Sequence, residues 1–115
     1  MNAREKGLSY VRQVKKILAE KGYKTEGPGY GVAFLDGTMR PIHRDYFGAF
    51  DLIAYRNGIF HGHQVSTLAN KADKYKTFRQ LGFPGFIWAK VPRHGFRVFW
   101  IDINGVEEEV FVESL

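Results

Sequence analysis

The chain begins with a segment whose apolar residues recur at the spacing of an α-helix. They follow one another at intervals of three and four positions, and most of the positions between them are basic or polar. This period predicts an amphipathic helix over residues 3–21, ended by Gly22. Its apolar positions are Leu8, Val11, Val14, Ile17 and Leu18.

A glycine-rich stretch follows the helix. The stretch from Glu26 to Pro41 contains four glycines and a proline before Pro41. They are Gly27, Pro28, Gly29, Gly31 and Gly37. This composition predicts a loop with a brief strand at Gly31 to Leu35. Loops of this length in compact domains are often functional. The stretch lacks the Gly-Lys-Ser/Thr ending of a phosphate-binding P-loop.

Two runs of strand-forming residues come next, Gly48 to Arg56 and Ile59 to Thr67. They are joined by Asn57-Gly58, the dipeptide most favoured in two-residue hairpin turns, so they predict a β-hairpin. In such a hairpin the numbers of facing residues have a constant sum, which places Asp51 opposite Gln64. A one-residue bulge would shift this pairing.

The rest of the chain predicts a second helix and further strands. Asn70 is the expected cap of a helix from Lys71 to Leu81, which Gly82 ends. The predicted strands are Phe86 to Val91, Phe96 to Ile103 and a short one at Val110 to Val112. The order of helix, hairpin, helix and strands indicates one α/β domain over residues 1–115, with a mixed central sheet flanked by helices.

Composition narrows the chemistry. Cysteine is absent from the 115 residues, which excludes disulfides, a thiolate nucleophile and cysteine zinc sites, so any metal would have oxygen or imidazole ligands. No apolar run approaches the roughly 20 residues that span a bilayer, and the N-terminal residues lack the apolar core of a signal peptide. We therefore expect no membrane partner and an intracellular, cytoplasmic location.

The balance of charge suggests a polyanionic partner. Seventeen Lys and Arg residues against 12 Asp and Glu give a net charge of +5, and four acids, Glu107, Glu108, Glu109 and Glu113, are expected beyond the last strong strand. No recognition helix or zinc finger is evident, so we expect contacts to backbone phosphates rather than to bases. The candidate phosphate contacts are Arg44, Lys71, Lys74, Lys76, Arg79, Arg93 and Arg97.

Asp51 stands out because it lies in the middle of an apolar strand. A buried carboxylate is costly unless it is paired or binds a metal. Directly opposed residues have Cβ atoms about 4.5 to 5.5 Å apart, so the carboxylate of Asp51 and the amide oxygen of Gln64 could reach one cation. The alternative is a solvent-facing acid or one that caps a nearby loop.

Residues 7–80 resemble the PD-(D/E)XK nuclease superfamily, and in particular its Holliday-junction-resolvase-like members in archaea, phages and some bacteria. The pattern of that family is an N-terminal helix, a strand bearing Asp, an antiparallel strand bearing Glu or Gln followed by x-Lys, and a further helix. Asp51, within residues 45–54, matches the strand acid, and Gln64 matches the second acid in its amide variant. The resemblance implies a restriction-endonuclease-like core in which Asp51, Gln64 and the carbonyl of Val65 bind metal.

The sequence departs from this pattern at two positions. Ser66 stands where the family usually has lysine, and no glutamate lies near Val11, where the first helix usually supplies one. Some relatives supply the lysine from the following helix, and Lys74 is our preferred substitute, although it could also lie on an ordinary solvated helix face. For the third acid, Asp45 is a better candidate than Glu5, because Asp45 is close to the strand acid and precedes a flexible Phe-Gly step.

The resemblance implies a DNA endonuclease that depends on Mg²⁺ or Mn²⁺ and hydrolyses phosphodiester bonds. Within that family the expected activity is a Holliday junction resolvase, a homodimer that acts on branched DNA in recombination. One alternative is a catalytically inactive nucleic-acid-binding or assembly module with the same fold, which Ser66 favours. Another is a basic α/β protein that binds a protein partner.

Two other groups of residues have a simpler interpretation. His61 and His63 form an HxH pair, but their face of the hairpin also carries Leu52 and Ala54, which predicts hydrogen-bonded core histidines rather than metal ligands. The late aromatic residues have strand spacing, which favours core packing or a dimer face over base stacking. They are Phe83, Phe86, Trp88, Phe96, Phe99 and Trp100.

Overall fold

The computed structural model describes residues 2–115, apart from the side chains at positions 32, 33, 35, 40, 41 and 43. Its helices are α1 (Ala3–Glu20), α2 (Lys71–Leu81) and a 3₁₀ helix at Val112–Ser114. Its strands are β1 (Lys24–Glu26), β2 (Gly29–Leu35), β3 (Thr38–Arg44), β4 (Leu52–Arg56), β5 (Ile59–Thr67), β6 (Gly85–Lys90), β7 (Phe96–Ile101) and β8 (Glu107–Val110).

Six strands form one mixed sheet in the order β1-β4-β5-β6-β7-β8. Strands β5 and β6 are parallel, and the other neighbours are antiparallel. Helix α2 connects β5 to β6, as a parallel pair requires a crossover connection. The prediction of an α/β fold with a mixed sheet and two helices is confirmed.

The two helices belong to different hydrophobic clusters of the sheet. On one side, Val14 and Leu18 of α1 pack with Leu52, Ala54 and Trp88. The other cluster joins Phe78 of α2 to Ala49, Phe50, Ile87, Ala89, Phe99 and Ile101. Since successive strand residues point to opposite faces, this arrangement explains why β6 is buried along most of its length. None of the helices within residues 2–115 combines the length and hydrophobicity that a membrane crossing requires.

The β4-β5 hairpin has the register predicted from its turn. Leu52 faces His63, and Asn57 and Gly58 have φ angles of 54° and 81°, as a type I′ turn requires. The ladder ends at Leu52, because the N–H of Asp51 donates to the carbonyl of His63 at 2.9 Å. The backbone of Asp51 is therefore shifted by one residue from its regular partner.

The predicted start of this strand at Gly48 is wrong, because a tight turn precedes β4. Phe47 and Gly48 have positive φ angles of 55° and 72°, and the N–H of Tyr46 donates to the carbonyl of Phe50 at 2.7 Å. The turn reverses the chain between β3 and β4. As a result Asp45, before the turn, and Asp51, after it, become spatial neighbours.

The predicted brief strand at Gly31 to Leu35 is confirmed as part of β2, but the prediction that the rest of residues 26–41 is a loop is wrong. Strands β2 and β3 pair antiparallel along their full lengths and form a separate two-stranded sheet. Asp36 and Gly37 join them with φ angles of 51° and 73°. Asp-Gly is a hairpin signal of the same kind as Asn-Gly, and here it closes a hairpin.

Three of the four C-terminal acids form a strand of their own after β7. Strand β8 contains Glu107, Glu108 and Glu109 and pairs antiparallel with β7. The predicted strand at Val110 to Val112 is therefore displaced towards the N-terminus, and a 3₁₀ helix begins at Val112. These three acids follow β7 in the chain, as predicted, but they belong to the sheet, where Glu107 pairs with Lys71 and Glu109 with Arg97.

Helix α2 has the predicted bounds. Gly82 ends it with a φ of 70°, and its N–H donates to the carbonyl of Phe78. The predicted side-chain cap is wrong, because the side chain of Asn70 makes no capping hydrogen bond. The backbone N–H of Asn70 donates instead to the hydroxyl of Thr67 at 3.3 Å.

Gly62 lies beneath the ring of Phe50, which buries the turn ahead of β4. A Cβ at Gly62 would be 2.5 Å from that ring, so Gly62→Ala is expected to destabilise the fold by about 1 to 3 kcal/mol through overpacking. Urea unfolding measures this change. The matched control is Gly7→Ala in α1, where a Cβ meets nothing within 4 Å and a gain of about 0.5 to 1 kcal/mol is expected. Equal stability of the two variants would contradict this prediction.

Candidate active site

Asp51 and Gln64 meet at the start of β4 and the middle of β5. Both are buried, with 5% and 4% of their surfaces exposed. The N–H of Val65 donates to Oδ2 of Asp51 at 2.8 Å. In the orientation that satisfies its neighbours, the carboxamide of Gln64 donates from Nε2 to the same oxygen. The two side chains that were predicted to face each other thus meet, although the backbone of Asp51 lies outside the β4-β5 ladder and is shifted by one residue.

Lys74 and Asp45 extend this contact into a chain of four side chains. Oε1 of Gln64 accepts a hydrogen bond from Nζ of Lys74 at 3.2 Å. On the other side, the carboxyl of Asp45 is hydrogen-bonded to Asp51. Helix α2, strand β5, the start of β4 and the turn after β3 each contribute one member. Convergence of these four residues is the arrangement that the sequence predicts for a catalytic site.

The environment of Asp51 changes its ionisation. Burial raises its pKa to about 7, and the negative charge of Asp45 adds to this rise. The N–H of Val65 and the cation of Lys74 act in the opposite direction. Asp51 is therefore close to half-protonated at neutral pH. A cation ligand must be ionised, so cation binding at this residue is favoured above pH 7.

Two cavities extend from these residues along a cleft between α1 and β5. The first, of about 190 Å³, is lined by Asp51, Val65 and residues of α1. The second, of about 410 Å³, is lined by Lys74, Val65 and an overlapping set of α1 residues. The two share Ala3, Gly7 and Val65 in their linings. Asp51 and Lys74 therefore line two adjoining cavities of this cleft.

The N-terminal half of α1 contributes residues that were not predicted for the site. Arg4 lines the first cavity, and Lys6 and Tyr10 line the second. A signal was present, because Arg4 lies four and seven positions before Leu8 and Val11 and so shares their face of the helix. Glu5, the alternative third acid, is exposed and lies outside both linings.

The oxygen atoms of this site suit a hard divalent cation. They belong to the carboxylates of Asp51 and Asp45 and to the carbonyl of Val65, which points to the same side of β5 as its N–H. Such donors fit Mg²⁺ or Mn²⁺, since Mg²⁺ needs few protein ligands and retains waters. The amide of Gln64, which the resemblance predicts as a ligand, instead turns its nitrogen to Asp51 and its oxygen to Lys74. Within the described part of the chain, no three His, Asp or Glu side chains form a metal-binding group. The site therefore offers a sparse set of ligands.

The comparisons add no relative. Comparison of the chain with protein-family models, curated proteins and solved structures gives no significant match. The likeness to the nuclease superfamily therefore depends on the residues and topology described above.

Two of the predicted phosphate contacts are paired with acids of β8. Lys71 forms an ion pair with Glu107 at 2.5 Å and lies 4.0 Å above the ring of Phe99. Arg97 makes two hydrogen bonds to the carboxylate of Glu109, at 3.0 and 2.5 Å. The charges of Lys71 and Arg97 are therefore partly neutralised by acids of β8.

The other predicted phosphate contacts lie around the molecule. Arg44 is exposed at the end of β3, next to Asp45, and Lys76 is exposed on α2. Arg79 lies 5.9 Å from the ring of Tyr75, and Arg93 is exposed in the turn between β6 and β7. Lys74 is the predicted contact that lines the cleft. The structure thus places Lys74 at the site and distributes the others outside its cavities.

The histidine pair is part of the core. His63 is 1% exposed, its Nδ1 accepts a hydrogen bond from Nε1 of Trp88 at 2.9 Å, and its ring stacks on Phe86. Burial lowers the pKa of His63 to about 3. Burial and the cation of Arg56 also lower the pKa of His61. His63 therefore acts as a neutral core residue, as its apolar face predicts.

Proposed function

We propose that the protein is a metal-dependent DNA endonuclease with a restriction-endonuclease-like core. The observation that carries this proposal is the chain of contacts from Asp45 through Asp51 and Gln64 to Lys74, in which Asp51 and Lys74 line two adjoining cavities. The order of α1, β4, an antiparallel β5 and α2 agrees with the pattern of the family. The basic side chains of Arg4 and Lys6 in the same cleft suit a phosphodiester substrate.

Each polar residue has a distinct role in this proposal. A bound Mg²⁺ would lower the pKa of a water and stabilise negative charge on the phosphate. Asp51 supplies the ionised carboxylate, and Gln64 orients it through Nε2. Lys74 offsets charge that develops on the phosphate, held in place by Oε1 of Gln64. Lys74 of α2 thus takes the role of the lysine that the family usually has at the position of Ser66.

The resemblance suggests branched DNA as the substrate and a homodimer as the active form. A part of the sheet that carries exposed aromatic side chains offers an apolar surface for a second copy. Phe47 and Phe60 are 73% and 69% exposed and line one open cavity of about 470 Å³. Large exposed apolar patches commonly mark interaction sites.

The test is nicking of branched and linear DNA in Mg²⁺ or Mn²⁺. The wild-type protein is expected to nick DNA only when the metal is present, and Asp51→Ala is expected to abolish the reaction. Lys74→Gln is expected to reduce the rate by about 10² to 10³-fold, as removal of one preorganised charge contact does. Lys16→Gln is the control, because Lys16 is exposed on α1 outside both cavity linings and is not among the predicted phosphate contacts. Equal nicking by wild type and Asp51→Ala would refute the proposal.

A second candidate is a nucleic-acid-binding module of the same fold without catalysis. The specific observation in its favour is that Gln64 replaces an acid and its oxygen is hydrogen-bonded to Lys74. This candidate predicts salt-sensitive DNA binding that Asp51→Ala leaves unchanged, with no cleavage in either metal. The same set of variants therefore distinguishes the two functions.

A further inference from the structure

The larger cavity of the cleft has a lining suited to a phosphate group. Lys6 and Lys74 contribute cations, and Ser66, Thr67 and Asn70 contribute neutral polar groups. No carboxylate belongs to this lining. Its volume of about 410 Å³ is in the range of small-molecule sites, which suits one phosphate with part of its attached group. Over the described residues, no ion pair involves Lys6 or Lys74.

The cavity is open because small residues surround it. Ala3, Gly7 and Ser66 line it, and a Cβ at Gly7 would meet nothing within 4 Å. Ser66 is 8% exposed, and its hydroxyl donates to the carbonyl of Thr67 at 3.1 Å, which leaves the oxygen able to accept. A lysine at position 66 would extend its long side chain beside this space. The position where the family usually has lysine therefore carries a small residue here, and the cavity beside it is open.

We propose that this cavity binds a backbone phosphate of the nucleic acid, next to the phosphate that is presented to Asp51. This inference rests on the proposed function, because the two cavities share one wall. Lys6 is the principal contact, since it is the cation that α1 contributes to the lining, whereas Lys74 of α2 is already hydrogen-bonded to Gln64. Tyr10, whose ring is held edge-on against Phe96 at 6.4 Å, flanks the attached sugar.

The experiment measures binding of labelled duplex and branched DNA by fluorescence anisotropy in EDTA, where cleavage cannot occur. Lys6→Gln is expected to weaken binding about 3- to 10-fold and to lower the salt slope by about one, as loss of one phosphate contact does. Lys16→Gln is the matched control: Lys16 is exposed on the same helix and lies outside the cavity lining. Equal behaviour of these two variants would overturn the inference.

A second variant blocks the cavity without changing its charge. Gly7→Leu fills the space, and it is expected to keep α1 folded because Leu is a better helix former than Gly. We expect it to weaken DNA binding by a similar factor, with the unfolding midpoint in urea at or above that of the wild type. Wild-type DNA affinity in Gly7→Leu would show that the cavity is not used.

NMR titration distinguishes the source of the phosphate. If inorganic phosphate shifts the backbone N–H signals of Ser66 and Thr67, and Gly7→Leu removes the shift, the cavity accepts free phosphate as well as DNA. A shift with DNA alone indicates a strand phosphate, and no shift with either ligand overturns the inference. A protein that binds DNA through Lys6 but never nicks it would refute the nuclease and keep this site. If the wild type nicks DNA and Lys6→Gln binds DNA as tightly as the wild type, the nuclease is supported and the phosphate site is refuted.

Discussion

At pH 8, replacement of Asp51 by Asn is expected to raise the free energy of unfolding by about 2 to 4 kcal/mol. Burial raises the pKa of Asp51 from its ordinary value of 3.8 to about 7. Its contribution to stability is therefore fully present below pH 3.8 and is lost as the pH rises through 7. Asn stays neutral, and its oxygen can still accept the N–H of Val65. The variant thus avoids the cost of a buried charge.

Urea unfolding at pH 4 and pH 8 measures this effect. The gain is expected at pH 8 and should be small at pH 4, where Asp51 of the wild type is protonated in the folded state. Asp36→Asn is the control, because Asp36 is exposed in a turn that Asn also favours. A gain of the same size at both pH values would mean that ionisation is not the cause.

The same substitution is expected to remove metal-dependent nicking. Loss of the ionised ligand forfeits several kcal/mol of metal-ion catalysis, which corresponds to at least about a 10²- to 10³-fold slower reaction. A variant that gains stability and loses activity would identify the carboxylate as a residue retained for function at a cost to the fold. If the carboxylate of Asp51 were retained only to stabilise the fold, Asp51→Asn would lower the free energy of unfolding instead.

The parts of the fold with a strong local period could be predicted from the sequence. The apolar stripe of α1 and the Gly82 end of α2 determined both helices, and Asn57-Gly58 determined the register of β4 and β5 as far as Leu52 and His63. Asp51 and Gln64 adjoin these two residues directly and meet through their side chains. A two-residue turn has one favoured geometry, so a short motif was sufficient for a tertiary contact. Lys74 was identified from its distance to the end of the strand.

The parts that were missed depend on non-local contacts. Positive φ at Phe47 is uncommon for a bulky residue, so the tight turn that joins Asp45 to Asp51 has no strong sequence signal. Strand β8 is acidic and gains its place by pairing with β7, where Glu109 meets Arg97. Such pairing overrides weak local preference. The hairpin around Asp36-Gly37 had a signal that the surrounding glycines obscured.

Acid is expected to destabilise the fold through His63. The pKa of His63 is lowered by burial from its ordinary value of 6.5 to about 3, so the unfolded chain binds more protons than the folded one between these values. Stability is fully present above pH 6.5 and falls by up to roughly 1.4 kcal/mol per pH unit as the pH decreases towards 3. His61, whose pKa is also lowered, adds to this loss.

The measurement is best made in the Asp51→Asn protein, because Asp51 has the opposite effect. Between pH 3.8 and 6.5, the raised pKa of Asp51 makes the wild type more stable on acidification, which offsets the effect of His63. Urea unfolding of Asp51→Asn at several pH values from 4 to 7 should therefore show a steeper loss in acid than the wild type. An equal slope in both proteins would show that Asp51 does not titrate in this range.

A further substitution assigns the slope to His63. His63→Gln keeps an oxygen that can accept from Nε1 of Trp88 and has no titrating group. In the Asp51→Asn background it is expected to be less stable at pH 7, because a stacked ring is lost from the core, and to lose the slope of about one proton between pH 4 and 6. His61→Gln is the matched control and is expected to change the slope less, because His61 is less buried. If His63→Gln retains the full slope, the acid sensitivity arises from other groups and His63 is not the residue that senses pH.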